Sequence, residues 1–286
     1  MDITEDIQQL VAIALREDLG KIENNKTNFI GDITSLSTIS SSKIITAYMV
    51  SRENGIVAGT DVAKYVYETV SPEVKVEVIT KDGESVSPKQ KIITVTGNAQ
   101  KILQAERTAL NFLTHLSGIA SETARYVDAV SHTNARILDT RKTLPGWRIL
   151  QKHAVKMGGG ENHRMGLYDM VLIKDNHVAA AGGVTQALDR VRKANPNVKI
   201  EIEIDTLEQL QNVIDHGTAE FVLIDNMRGA DLIKAVAMCN GKIKTEASGG
   251  IDFNSIKEVA ESGVDYISIG ALTHSVQVFD IGLDIN

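Results

Sequence analysis

Between Ala135 and Ala271 one pattern recurs: a short apolar run rich in Ile and Val, a polar or glycine-bearing turn, then a stretch with apolar residues at helical spacing. It predicts strands at Arg136–Asp139, Met170–Lys174, Lys199–Ile204, Glu220–Asp225, Lys242–Glu246 and Tyr266–Ile269. Helices are predicted at Gly146–Met157, Val184–Ala194, Leu207–His216, Gly229–Cys239 and Asn254–Glu261, several opened by Thr, Asp or Asn in capping positions. Successive parallel strands need such helical crossovers, so the half is α/β. Periodicity alone leaves a small barrel and an open doubly wound sheet both standing. The strand ends favour the barrel. They carry Asp139 with Thr140-Arg141-Lys142, Lys174-Asp175-Asn176-His177, Glu203 with Asp205, Asp225-Asn226, Glu246 before Ser248-Gly249-Gly250, and Gly270. A sheet that curls round gathers such ends at one site.

The first hundred residues read as α+β, with strands at Ile44–Val50, Val74–Ile79 and Lys91–Val95, a helix at Asp61–Val70, and turns at Gly83, Pro88 and Gly97. A long helical pattern from Ala99 to Val130 joins the halves, with Gly118 as an expected interruption. At 286 residues, one large and one smaller domain is the natural division. Aromatics are only 4% of the chain, so the core is built from Ile, Val, Leu and Ala, as suits buried parallel strands.

A net charge of −7 and a pI near 5.5 argue against nucleic acid as a partner. The sole cysteine, Cys239, cannot form an internal disulfide, and the start MDITEDIQQL lacks the features of a secretory signal. No apolar run reaches the length of a membrane span. The expected location is the cytoplasm, and Asn25-Lys26-Thr27 is read as a chance match to a glycosylation acceptor.

Charge is unevenly spread. Between Asp139 and His177 stand seven Lys or Arg and four acids, a local +3. Arg148, Lys152 and Lys156, four apart, read as a solvated helix face. Arg141, Lys142, Arg164 and Lys174 lie instead at strand ends or in glycine-rich turns, where a ligand would sit. Arginine offers carboxylates and phosphates a rigid donor fork, and lysine a point charge. The cluster suits a small polyanion. Gly158-Gly159-Gly160 reads as a flexible connector or ligand loop. Ser248-Gly249-Gly250 reads as a phosphate cradle helped by a following helix N-terminus, and Gly270-Ala271 would complete it. Glu203 and Asp225 end consecutive strands; facing a phosphate-rich ligand they would hold magnesium or stabilise positive charge, although two structural acids paired with lysines would look the same. His153, His163 and His177 carry no zinc-binding spacing.

The run Leu138-Asp-Thr-Arg-Lys-Thr-Leu-Pro-Gly146, the run Gly158-Gly-Gly-Glu-Asn-His-Arg-Met-Gly-Leu-Tyr-Asp169 and the run Leu172-Ile-Lys-Asp-Asn-His177 closely resemble the quinolinate phosphoribosyltransferase family. Support extends through Gly31-Asp-Ile-Thr34, Glu106-Arg-Thr-Ala-Leu-Asn-Phe-Leu113, His115-Leu-Ser-Gly-Ile-Ala120, Glu201-Ile-Glu-Ile-Asp205, Glu246-Ala-Ser-Gly-Gly-Ile251 and Gly270-Ala-Leu-Thr-His-Ser275. Trp147 and Met157 depart from the Leu and Cys frequent in the family.

The resemblance implies an N-terminal α/β sandwich over 1–115, joined by the tail 273–286, and an incomplete α/β barrel over 116–272. It implies a glycosyltransferase that joins quinolinate to phosphoribosyl pyrophosphate and releases pyrophosphate and CO2, with Mg2+ and no organic cofactor. It also implies a homodimer with shared active sites, in which Arg107 reaches the partner's site, and which can assemble further. Quinolinate binding falls on Arg107, Arg141, Lys142, His163, Arg164 and Lys174. Glu203, Asp225, Ser248, Gly249, Gly250 and Gly270 fall on the phosphoribosyl side, with Thr140, Ile269 and Ala271 among the substrate-binding positions; Lys142, Lys174, Glu203 and Asp225 are the expected catalytic set. Rival readings are a relative acting on nicotinate or another pyridine acid, a molybdenum-transport-associated relative, a Schiff-base lyase using Lys174, and an anion-binding regulator on a retained barrel.

Overall fold

The computed structural model describes residues 1–20 and 31–285. Asn25-Lys26-Thr27 lies outside them. In chain order the elements are α1 Glu5–Leu19, α2 Ile33–Thr38, β1 Ile44–Ser51, β2 Gly55–Ile56, α3 Thr60–Val70, β3 Lys75–Val78, β4 Ser85–Val86, β5 Lys91–Asn98 and α4 Ala99–Val130. There follow β6 Arg136–Leu138, α5 Arg148–Met157, β7 Val171–Ile173, α6 Asp175–Ala181, α7 Val184–Ala194, β8 Ile200–Ile204 and α8 Leu207–His216. The chain closes with β9 Phe221–Asp225, α9 Gly229–Cys239, β10 Lys244–Ser248, α10 Ile256–Glu261, β11 Tyr266–Ser268, α11 Ala271–His274 and β12 Ile281–Ile285.

The residues group into two compact units, one of 1–122, 144–159 and 276–286, the other of 123–143 and 160–275. The first holds an antiparallel sheet in the order β12-β1-β5-β3, with the C-terminal β12 set against β1 through Ala47↔Ile285 to Ser51↔Ile281. Its core includes Val11, Leu15, Val62, Val66, Tyr67, Ile93 and Val95, all essentially without exposure. Complete burial of such a side chain is worth about 1.5–3 kcal/mol.

The residues 144–159, expected with the barrel, fall in this first unit. Trp147 stacks on Phe112 at 4.7 Å between ring centroids, Gln151 bonds His115 at 2.9 Å, and Leu150, Ala154 and Val155 enter the same core. Lys152 is only 1% exposed, so the expected solvated face of Arg148, Lys152 and Lys156 holds for the exposed Lys156 and fails at Lys152. Gly118 does not interrupt α4. A Cβ there would lie 2.1 Å from the carbonyl oxygen of Gln277, so the glycine serves close backbone approach.

In the second unit six parallel strands run in the order β6-β11-β10-β9-β8-β7, which shows the α/β barrel class. The end strands β6 and β7 do not pair with each other, and Leu138 instead makes an isolated parallel bridge to Glu161. The barrel is therefore incomplete. Strand alternation explains its two faces. Ile200, Ile202 and Ile204 of β8 pack outward with Leu210, Val213 and Leu188 of the neighbouring helices, which turns Glu201 and Glu203 inward. A phosphate loop followed at once by a helix is not what forms after β10. α10 begins at Ile256, beyond a turn in which Asp252 accepts hydrogen bonds from the backbone of Asn254 and Ser255.

Candidate active site

The C-terminal ends of β6 to β10 and the loop after β6 open on one cavity of about 480 Å3, lined in part by Thr140, Arg141, Lys142, His163, Arg164, Lys174, Glu203, Asp225, Ser248 and Gly249. Ten of the residues expected from the sequence thus meet in one place. Leu172, Leu223, Asn226, Glu246 and Ser268 complete the wall. Gly270 stands beside it, because a Cβ there would lie 3.0 Å from Cδ of Lys142. Ile269 sends its side chain into the outer core, and Gly250 and Ala271 do not line the cavity. Arg107 is exposed on α4 in the first unit.

One side of the cavity is cationic. Burial, and then the neighbouring Arg141, push the Arg164 guanidinium below its ordinary value, and the buried Nε of Arg141 has no hydrogen-bond partner. Two like charges held this close are relieved by a dianion between them. Arg164 is braced by donation from Nη1 to the Met170 carbonyl at 3.1 Å. The other side is acidic. Lys174 Nζ donates to Glu203 Oε2 at 2.7 Å, while burial, then the charges of Glu203 and Asp205, push the Asp225 carboxyl up. Three acids around one corner suit a cation or a developing positive charge.

Gly249 turns the loop between these sides at φ +85°, and a Cβ there would meet Asn226 Oδ1 at 2.2 Å and Asp225 Oδ1 at 2.8 Å. Only glycine fits that approach. The same loop is held by Arg228, whose guanidinium donates to the carbonyls of Met227 and Gly249. Nothing in the local sequence marked Arg228.

The loop after α5 is fixed by Asp139. This carboxylate is wholly buried at the end of β6 and accepts from Asn162 Nδ2 at 2.5 Å and from the His163 backbone at 3.0 Å. It thereby carries His163 and Arg164 to the barrel mouth. Below them lie Glu201 and Glu246, 1% and 3% exposed, which the sequence left without a role. Burial raises both carboxyls, and for Glu246 the charge of Glu201 adds to it. The signal was present in the alternation Ile200-Glu201-Ile202-Glu203-Ile204, whose apolar members must face the helices.

The three histidines considered for zinc are far apart in role. His153 pairs with Asp82 at 2.8 Å, His177 Nδ1 accepts from the Lys174 backbone at the start of α6, and His163 faces Glu201 and Glu246.

Comparisons with known proteins agree along the chain. Residues 32–117 match the "Quinolinate phosphoribosyl transferase, N-terminal domain" and 119–284 the corresponding C-terminal domain. The chain is 46% identical over 259 residues to the nicotinate-nucleotide pyrophosphorylase [carboxylating] of Mycobacterium leprae, covering 89% of this chain and 91% of that one. With the chloroplastic enzyme of that name from Arabidopsis thaliana it shares 42% identity over 301 residues, covering 99% and 84%. The solved nicotinate-nucleotide pyrophosphorylase of Francisella tularensis superimposes with a TM-score of 0.92 at 38% identity, covering 99% and 96%.

Proposed function

The chain belongs to the quinolinate phosphoribosyl transferase family, and from that premise we propose that it converts quinolinate and phosphoribosyl pyrophosphate to nicotinate mononucleotide, pyrophosphate and CO2 in NAD biosynthesis. The observation that carries this reading is the polarity of the cavity, with Arg141 crowding Arg164 on one side and Glu203 and Asp225 together on the other. The basic side takes the two carboxylates of quinolinate. The acidic side faces the ribose, where positive charge grows at the anomeric carbon as pyrophosphate departs.

The pyridine nitrogen attacks that carbon and becomes cationic. The carbon–carbon bond to the adjacent carboxylate then breaks, its electrons pass to the ring, CO2 leaves and the ring carbon takes up a proton. Lys142 and Lys174 supply fixed positive charge near the reacting groups, and orientation with electrostatics provides the catalysis without an organic cofactor. Lys174 is engaged by Glu203 at 2.7 Å, which supports an electrostatic role over a Schiff-base nucleophile.

Magnesium fits the acidic corner. Glu203 and Asp225 offer only oxygen donors, and the Asp225 carboxyl, pushed up by burial and then by the charges of Glu203 and Asp205, sits where a hard cation would offset the crowded negative charge. When bound with the substrate's phosphates it would share the charge of the leaving pyrophosphate. We further infer that Arg107 serves the cavity of a second copy in a homodimer. Among the described residues no helix is long and apolar enough to cross a membrane.

Incubation with magnesium, phosphoribosyl pyrophosphate and either quinolinate or nicotinate tests the function. Quinolinate should yield CO2 and nicotinate mononucleotide in equal amounts, and nicotinate should give far less product. Absence of turnover with quinolinate would refute the reading.

A further inference from the structure

Arg228 occupies the N-cap position of α9, where its backbone is extended and its side chain makes no capping bond. Ser, Thr, Asp and Asn cap well, and a cation at a helix N-terminus opposes the helix dipole. Local rules therefore disfavour arginine here. The side chain turns instead to the loop after β10. Nη1 donates to the Met227 carbonyl at 2.7 Å and to the Ser248 carbonyl at 3.4 Å, and Nη2 donates to the Gly249 carbonyl. The Ser248 carbonyl also accepts the Asn226 backbone N–H at 3.1 Å.

Holding these two carbonyls orients two amides. The peptide group is planar and trans, so each carbonyl points opposite to the N–H of the residue that follows it. With the Ser248 and Gly249 carbonyls drawn toward Arg228, the N–H groups of Gly249 and Gly250 face away from it. Neither has an acceptor among the described residues. Consecutive unpaired amides in such a turn make an anion-binding concavity. Gly249 lines the catalytic cavity and Arg228 does not; the arginine lines the neighbouring cleft with Asp205 and Asp231. It stands behind the loop and is not itself a contact to a ligand in the cavity.

We infer that Arg228 is a positioning residue for phosphate recognition: by holding the Ser248 and Gly249 carbonyls it fixes the Gly249 and Gly250 amides that take the phosphate carried on the ribose. The inference rests on the reading of the cavity as a phosphoribosyl site. Asp225, which faces the ribose in that reading, lies against Gly249, so sugar and phosphate fall side by side. Guanidinium suits this task better than ammonium, because its planar fork spans two carbonyls at once.

The first test needs no turnover. Ribose 5-phosphate and pyrophosphate are titrated separately into the full-length protein by calorimetry. Arg228→Ala and Arg228→Ser should each bind ribose 5-phosphate about tenfold more weakly, with pyrophosphate changed less than about twofold. Arg228→Lys keeps the charge but reaches only one carbonyl, and should remain about threefold weaker than the parent. Equal losses for both anions, or full recovery in Arg228→Lys, would reduce the effect to bulk charge and overturn the inference. So would an unchanged affinity in Arg228→Ala, or no binding of ribose 5-phosphate to the parent. Thermal melts separate positioning from stability. Serine restores the cap of α9, so Arg228→Ser should melt above Arg228→Ala while binding ribose 5-phosphate no better; affinity that rises with Tm across the variants would count against the inference.

In steady-state assays with quinolinate, Arg228→Ala should raise KM for phosphoribosyl pyrophosphate about tenfold and move KM for quinolinate less than about twofold. A parallel rise in both would overturn the inference. If the parent does not turn quinolinate over at all, the proposed function falls, while the titrations with ribose 5-phosphate still decide the role of Arg228.

Discussion

The residues that set this site act through placement more than through charge alone. Asp82 shows how strongly a buried partner set can act. Burial opposes its charge, yet the hydrogen bond from His153 and those from the backbones of Gly59 and Thr60 prevail and hold its carboxyl at about 2, against an ordinary 3.8. A carboxyl lowered in the folded state stabilises fully above its unfolded value and loses that contribution as pH falls through the folded one. The difference corresponds to about 2 kcal/mol. Asp82→Asn should therefore lower Tm by several degrees at pH 7, with the gap to the parent closing between about pH 4 and pH 2 in thermal melts. At the cavity, Gly249→Ala places a methyl group against Asn226 and Asp225 in a left-handed turn. It should raise KM for phosphoribosyl pyrophosphate at least about tenfold and leave KM for quinolinate nearly unchanged in steady-state assays.

Among the elements, α7, α8 and α9 have the bounds predicted from spacing, because each pairs an amphipathic stripe with a clear stop. Gly217 and Asn240 end α8 and α9 in left-handed conformation. The predicted β10 lay two residues early, because the ladder to β9 starts only at Lys244, opposite Phe221, and runs on to Ser248, opposite Asp225. The short α6 was hidden, since Asp175-Asn176-His177 looks like a loop until the His177 ring accepts the Lys174 N–H. In α4, local sequence marks Gly118 as a weak point because glycine costs about 1 kcal/mol in a helix. Its neighbour Gln277 is distant in the chain, so the true constraint had no local signature. Gly118→Ala should consequently lower Tm in calorimetry, although helix propensity alone would raise it.

At the scale of the whole molecule, the proposed sharing of Arg107 between copies makes the active unit a dimer. Arg107→Ala and Lys174→Ala homodimers should each be inactive. Mixed after confirmed subunit exchange, they should recover about a quarter of the parental activity, because each hybrid holds one intact site; no recovery would place Arg107 outside the shared cavity. The sequence by itself determined the repeated βα order, the inward basic cluster of Arg141, Lys142, Arg164 and Lys174, and the family, because periodicity and contiguous motifs are local properties of a chain. It did not determine that Lys152 would be buried, that residues 144–159 would group with the first unit, or that Glu201 and Glu246 would meet beneath His163. Those are contacts between residues far apart in sequence. Which face of a strand or helix turns inward, and what waits there, was decided only when the sheet curled and brought its non-neighbouring strands around one interior.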